Sequence, residues 1–386
     1  MKTEKRKMEK VAIVRCKSYN QEEVDRAVKK VLKLLDFPVN KYRRVLIKPN
    51  VLGYYKENLD AIITHPNIVR AILKEFKKAK VGESSFTDTE NNLRKTGYWK
   101  FNPVVLEEKK LVKVKDAKAK ILKHFYLPEI VRKADLVINV PKLKTHTLTK
   151  MTGAIKNLYG CIPGGMKQVY HREAGGERRF SSLLVDIYQN IKPGLNIIDA
   201  VICMEGEGPS AGKPRKVGLI LASKNAVALD IVASKLMGYK PRKILAIKEA
   251  VRRGLTNYDV EIIGDLKEIP NLRFEKPSVF KRALIKTFLL GMVKEKIITD
   301  GEKCNKCRIC MKHCPVKAIK LNPYPEIEEK KCIRCFCCIE VCPQHAMHLK
   351  DNMMRRAVRV ANKLRKKRSE ERRVGKECRS RWSPYH

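Results

Sequence analysis

The chain has 386 residues, 44% of them hydrophobic, enough for two or three packed domains with a sizeable core. Its formal charge of +43 predicts attraction to acidic partners, whether an acidic electron carrier or enzyme, nucleic acid or an anionic membrane, although lysine spread over solvated faces accounts for much of it. No zinc-finger or aromatic RNA-binding motif is present, so nucleic acid is not an expected partner.

Taken in chain order, the basic start Met1–Lys10 precedes a short apolar run, Val11–Val14, too brief for a signal peptide. Met1 and Met8 are both candidate starts. Val11–Val14, Val45–Ile47, Leu136–Val140, Asn196–Ile202, Val217–Ala222 and Glu261–Ile263 read as buried strands, several of them β-branched on consecutive residues. Between them, Gln21–Leu35, Asn67–Ala79, Ser182–Asn190, Ala226–Met237 and Lys243–Arg253 carry helical patterns, the last stopped by Gly254. This alternation predicts an α/β domain over residues 9–270 with a mostly parallel sheet flanked by helices.

Residues 271–296 change character and read as a linker, with Pro277 breaking it and Val279–Val293 forming one amphipathic helix. Its most apolar part, Phe288–Val293, is far too short to span a bilayer, so no transmembrane segment and a cytoplasmic location are expected. Residues 297–350 read as a small α+β ferredoxin-like module, with a first motif over about 297–324 and a second over about 323–352. Residues 351–367 follow as a basic helix. The tail 368–386 resembles the translation of a sequencing-library adapter and is set aside from the fold, which leaves the formal charge at +40.

Nine of the thirteen cysteines lie between Cys304 and Cys342, a density that excludes a disulfide framework spread along the chain. Cys304-x2-Cys307-x2-Cys310-x3-Cys314-Pro315 repeats 28 residues later as Cys332-x2-Cys335-x2-Cys338-x3-Cys342-Pro343. A cubane cluster needs four thiolates; a tight loop supplies three, and in two-cluster ferredoxins the fourth of each run serves the other cluster. Two 4Fe-4S clusters are therefore expected, one on Cys304, Cys307, Cys310 and Cys342, the other on Cys332, Cys335, Cys338 and Cys314. Zinc has no use for the third x2 cysteine or the proline. The register leaves Cys337 out. The many lysines and arginines of this module predict a potential above that of an acidic ferredoxin.

Polar segments at expected strand ends mark a candidate site in the larger domain, because open α/β sheets place sites outside the carboxyl ends of their strands. They are Lys48-Pro49-Asn50, Pro141–His146 (PKLKTH), Gly153–Gly160 (GAIKNLYG), Asp199–Pro209 (DAVICMEGEGP) and Ala228-Leu229-Asp230. Lys48, Lys142, Lys144 and Lys156 are suited to an anion such as phosphate or carboxylate. His146, Lys48 and Asp199 are the catalytic candidates; Lys142, Lys144, Lys156 and Asn157 are the candidates for holding a cofactor. Asp199, Glu205, Asp230 and His146, joined by His65, are suited to a divalent metal or proton transfer. Gly164-Gly165 and Gly175-Gly176 are expected to bound a mobile loop carrying His171, Arg172, Arg178 and Arg179. No GxGxxG, Walker A or HExxH motif points to a nucleotide or a zinc protease.

These segments together resemble the domain of unknown function 362 family, often joined to a two-cluster ferredoxin module. The resemblance covers roughly residues 9–270 and the cysteine module; the family's activity is not established, so it implies an architecture rather than a reaction. The expected function is electron transfer through two 4Fe-4S clusters, linked to an α/β domain that binds an anionic small molecule. Alternatives are a non-enzymatic carrier or scaffold serving a partner enzyme, and a basic nucleic-acid or membrane-surface protein with structural clusters.

Overall fold

A computed structural model describes residues 8–85, 88–277, 296–312, 314, 317–332, 338, 342, 344 and 346–349. The chain divides into two compact units. In the larger unit the strands are β1 (Glu9–Arg15), β2 (Val45–Lys48), β3 (Lys80–Glu83), β4 (Val104–Val105), a separate hairpin of β5 (Leu111–Lys115) and β6 (His124–Pro128), β7 (Leu136–Asn139), β8 (Lys142–His146), β9 (Lys150–Thr152), β10 (Leu195–Glu205), β11 (Lys213–Ser223) and β12 (Val260–Gly264). The main sheet runs β12-β1-β11-β10-β7-β2-β3-β4, with β8 alongside β10 and β9 beyond β8. Neighbours are parallel except around β11 and at the β8–β9 pair, which are antiparallel.

The helices are α1 (Gln21–Leu34), α2 (Leu59–Ile62), α3 (Pro66–Glu75), α4 (Thr89–Lys95), α5 (Glu129–Arg132), α6 (Ala154–Asn157), α7 (Met166–Ala174), α8 (Glu177–Ile191), α9 (Ala226–Leu236) and α10 (Leu245–Arg252). Their starts follow local chemistry. Asn20 accepts from the N–H groups of Glu22 and Glu23 to cap α1, Asn225 does the same for Val227 and Ala228 in α9, and Pro66 begins α3 where its missing N–H costs nothing. Gly254 follows α10 at φ 71°, the left-handed stop expected of it.

Both faces of the sheet are covered, which explains the continuous apolar strands. Ala12 and Val14 of β1 enter a core shared with α1 and α3, whereas Val11 and Ile13 enter the opposite core with α6 to α10. Each such side chain contributes about 1.5–3 kcal/mol on leaving water.

Three local expectations change. The PKLKTH segment, expected as a polar segment at a strand end, is itself strand β8 from Lys142 on: β10 is long enough to pair first with β7, through Leu195 and Asn196, and then with β8, through Asp199 and Met204. The expected mobile loop is two helices, α7 and α8, with Gly175 at φ 64° closing the first. Residues 271–275 belong to the large unit rather than to a linker: Leu272 and Phe274 bond the carbonyls of Leu236 and Met237, and the Phe274 ring is buried.

The smaller unit holds β13 (Ile297–Thr299), a short helix Ile309–Lys312, β14 (Ile319–Leu321), β15 (Pro325–Ile327) and β16 (Met347–Leu349), with β13 antiparallel to β16 and β14 to β15. The helix expected over Val279–Val293, the basic helix over 351–367, the tail 368–386, and Cys335, Cys337, Pro315 and Pro343 lie outside the described residues.

Candidate functional site

β2 is followed in the sheet by β3 on one side, while β7, its other neighbour, leads to β10 on the opposite side. Successive connections thus diverge between β2 and β7, and their carboxyl ends, Lys48 and Asn139, open the crevice where α/β sheets hold ligands. β8 carries Lys142 and Lys144 onward from this edge, and Asp199 lies opposite Lys142 on β10.

Two of the four predicted lysines are already neutralised. Lys48, 1% exposed, places Nζ 2.5 Å from Oε1 of the equally buried Glu83 and donates to the Pro49 carbonyl at 2.7 Å. Burial pushes the Glu83 carboxyl up, against the pull of Lys48 and of the N–H of Val51. Lys142 and Asp199 are both fully buried and meet at 2.8 Å. The Tyr19 hydroxyl joins them, lying 2.6 Å from Lys142 Nζ and 3.0 Å from Asp199 Oδ1. Burial, then the Asp199 charge, holds the Tyr19 phenol well above its usual range. His65 stacks on Tyr19 at 3.9 Å, donates its backbone N–H to Asp199, and caps α3 by accepting from Asn67 at Nδ1.

Asn157 is engaged by the scaffold. Its amide donates to the carbonyls of Lys48 and Pro49 and to Asn139 Oδ1, and its oxygen accepts from Asn50. Asp230 caps the start of α6, accepting from Ala154 N at 2.5 Å and Ile155 N at 3.0 Å. These contacts explain two motif glycines. A Cβ on Gly153 would lie 2.1 Å from Asp230 Oδ1, and one on Gly160 would lie 2.6 Å from Lys48 Nζ. The motifs that look independent in sequence interlock at one sheet edge.

What is left unneutralised is a basic cluster. Lys144, buried, donates from Nζ to the Ile62 carbonyl at 2.6 Å, and among the described residues no carboxylate pairs with it or with Lys156. Burial first, then the charges of Lys156 and Lys142, push the Lys144 amine well below its ordinary range. Burial lowers Lys156 to about 8, and burial with the nearby Lys156 charge lowers His171 to about 4. His146 accepts from the N–H groups of Leu148 and Thr149 at Nδ1, which puts the ring proton on Nε2; burial, then Lys156 and Lys144, disfavour its charged form. His146, Lys156 and His171 are partly exposed, so solvent reaches the cluster.

The acidic candidates do not gather around a metal. Asp199 faces Lys142, Asp230 caps α6, and Glu205 pairs with Arg215 at 2.6 Å. Among the described residues no three His, Cys, Asp or Glu side chains meet as ligands of one metal ion, so the divalent ion expected here has no ligand set among them. Glu83, Tyr19 and Asn139 were missed by sequence reasoning. Glu83 had a signal, a carboxylate closing an apolar strand; Tyr19 had none.

In the smaller unit the 28-residue repeat is a structural one. β13 and β15 are equivalent in register, as are β14 and β16, and each strand pairs with one from the other half. Cys314 Sγ accepts from Ala318 N and Cys342 Sγ from Ala346 N; Cys304 N donates to Asp300 and Cys332 N to Glu328. Even the ion pairs repeat, Lys303 with Asp300 and Lys331 with Glu328. Cys304, Cys307, Cys310 and Cys342 line one cavity, three from the first run and the last from the second. Lys306 and Arg308, at φ 58° and 62°, bend the loop between the first three. Four thiols around a cavity rather than on one point suit a cubane, whose irons occupy separate corners, better than a single zinc.

The model described as a 4Fe-4S dicluster domain matches residues 296–377, and that described as domain of unknown function (DUF362) matches residues 45–235. A thylakoid-associated protein of Synechocystis sp. is 32% identical, over 66% of this chain and 85% of that protein. The chain belongs to the DUF362 family. Lys48, Glu83, Lys142, Asn157, Asp199 and Asp230 fall within the stretch that the DUF362 model matches, and Tyr19 lies before it. The lactate racemase apoprotein from Thermoanaerobacterium thermosaccharolyticum is similar at a TM-score of 0.31 and 13% identity, covering 73% of this chain and 90% of that one, too distant to carry anything over. This DUF362 protein thus carries an iron–sulfur domain of the electron-transfer kind. Among its described residues no helix is long and apolar enough to cross a membrane.

Proposed function

We propose that this protein passes single electrons through two 4Fe-4S clusters to or from an anionic small molecule held at the basic edge of its α/β unit. One cluster is assigned to Cys304, Cys307, Cys310 and Cys342. The repeat assigns the other to Cys332, Cys335, Cys338 and Cys314. When bound, the clusters supply one-electron chemistry; the protein's part is to supply the thiolates, shield them and set the local charge.

The observation that carries the large-domain reading is the contrast among its four lysines. Lys48 and Lys142 have buried carboxylates, whereas Lys144 and Lys156 have none among the described residues and share their surroundings with His146 and His171. Burying positive charge without a partner is costly, and a bound anion removes that cost. Lys48, Asp199 and Asn157 then act as scaffold and electrostatic support, while Lys144, Lys156, His146 and His171 face the ligand. The redox partner is an acidic carrier or enzyme, which the positive charge attracts.

Anaerobic purification with iron analysis, cluster spectroscopy and mass spectrometry of co-purified small molecules tests this reading. Two clusters and a stoichiometric anion are expected; reducible clusters whose reoxidation no bound anion alters would leave a carrier without an enzyme site. A second reading, attachment to an anionic membrane surface from the cytoplasmic side, is favoured by the thylakoid association of the relative together with the +43 charge. Salt-sensitive flotation with anionic vesicles would support it.

A further inference from the structure

Resting on the anion-site reading above, we propose that the Lys144–Lys156–His146–His171 cluster takes a phosphate-bearing small molecule as its dianion and takes up a proton as it does so.

Charge balance favours a dianion. Two amines lack a carboxylate among the described residues, so a monocarboxylate would neutralise only one of them, whereas a phosphate dianion matches both. Donor geometry points the same way. A planar carboxylate is best met by the rigid fork of arginine, but this cluster is built from lysine and imidazole, which donate as points. They arrive from separate elements, Lys144 and His146 from β8, Lys156 from α6 and His171 from α7, as a tetrahedral group with oxygens in several directions requires. His146 donates without being charged, because its Nδ1 is occupied by the N–H groups of Leu148 and Thr149 and Nε2 bears the proton.

The proton follows from the same surroundings. Around Lys156 stand Lys144 and His146 on β8 and His171 on α7; Asp230 on α9 is engaged by the backbone of Ala154 and Ile155, and Glu83 on β3 acts on Lys144 while bound to Lys48. Burial therefore lowers Lys156 to about 8, and burial with neighbouring charges disfavours the charged forms of Lys144, His146 and His171. A dianion beside it reverses the preference, so an amine that is largely neutral above that pH becomes ammonium on binding. No bond in the ligand breaks; one proton moves from solvent to an amine nitrogen.

The experiment is calorimetric titration of the full-length, cluster-loaded protein with inorganic phosphate at about pH 8.5, in buffers of low and high ionisation enthalpy. Binding with net uptake of at least about half a proton is expected. Lys156→Gln should weaken binding at least about tenfold, a loss of about 1.4 kcal/mol, and should lower the uptake by the share that Lys156 contributes. Lys156→Arg should keep binding but with less uptake, since arginine stays charged at this pH. The exposed Lys118→Gln should change neither. Malonate or acetate binding as tightly as phosphate, or phosphate binding without proton uptake, overturns this inference and leaves the anion site standing. Failure of every anion to bind overturns both.

Discussion

Asp230 and Gly153 compete for one space: Asp230 Oδ1 lies 2.5 Å from the Ala154 N–H that it accepts from, and a Cβ on Gly153 would sit 2.1 Å from that same oxygen. Gly153 is not in a left-handed conformation; it is a glycine because the cap of α6 approaches the backbone so closely. Since α6 carries Lys156 and Asn157, this contact sets where the basic cluster stands.

Gly153→Ala should therefore destabilise the protein by about 1–3 kcal/mol through forced displacement of the Asp230 cap. Gly176, extended and with open space around its Cβ position, is the contrast. Gly176→Ala should be neutral or stabilise by about 0.4–1 kcal/mol through the unfolded chain. Urea unfolding of the two variants checks this, and equal effects would count against the argument.

Asp230 also predicts a pH dependence. Burial raises its carboxyl from 3.8 to about 7, against the pull of the two backbone N–H groups. The native state thus keeps the proton where the unfolded chain has lost it. Its contribution to stability is present in full below about 3.8 and is lost as pH rises to about 7. Relative to Asp230→Asn, the wild-type protein should lose a few kcal/mol across that window. Parallel unfolding midpoints for the two proteins from pH 4 to 7 would contradict it.

Lys48→Met leaves Glu83 buried without its counter-ion, at an expected cost of about 3–5 kcal/mol. Adding Glu83→Gln removes the orphaned carboxyl and keeps an oxygen for the backbone N–H groups, so the double variant should regain at least about half of the loss. A double-mutant cycle by chemical denaturation measures the coupling; additive effects would show that the pair is not a unit.

In the cysteine module, Cys342→Ser should remove the first cluster and lower iron from about eight to about four atoms per chain, while Cys337→Ser should leave it unchanged. Cys161→Ser and Cys203→Ser, whose thiols are buried in the α/β unit and held above their usual range, should also retain full iron. Iron determination after anaerobic reconstitution separates these outcomes.

Lys306 lies between Cys304 and Cys307 with its amine 4.9 Å from the Tyr324 ring. A positive charge there stabilises the more negative reduced cluster. Lys306→Glu should lower the potential of the cluster assigned to Cys304, Cys307, Cys310 and Cys342, read by anaerobic redox titration. An unchanged or raised potential would argue against charge control.

The strand–helix alternation and the 28-residue cysteine repeat were legible in the chain because both are local: apolar periodicity reports burial on one or two faces, and cubane ligation imposes its own spacing. The motif residues at the sheet edge were legible as a set, but not their division of labour. Lys142 and Asp199 are 57 residues apart, and Tyr19 and Asp199 are 180 apart. Which lysine meets a carboxylate depends on the order of β2, β7 and β10, to which side-chain type is blind. The same long-range pairing turned the PKLKTH segment into a strand, since only the length of β10 offers it a partner, and helical packing turned the glycine-bounded segment into α7. Composition could count four basic side chains near one edge; strand order left two of them with buried counter-charges and two without, because a buried charge takes its character from its neighbours rather than from its own chemistry.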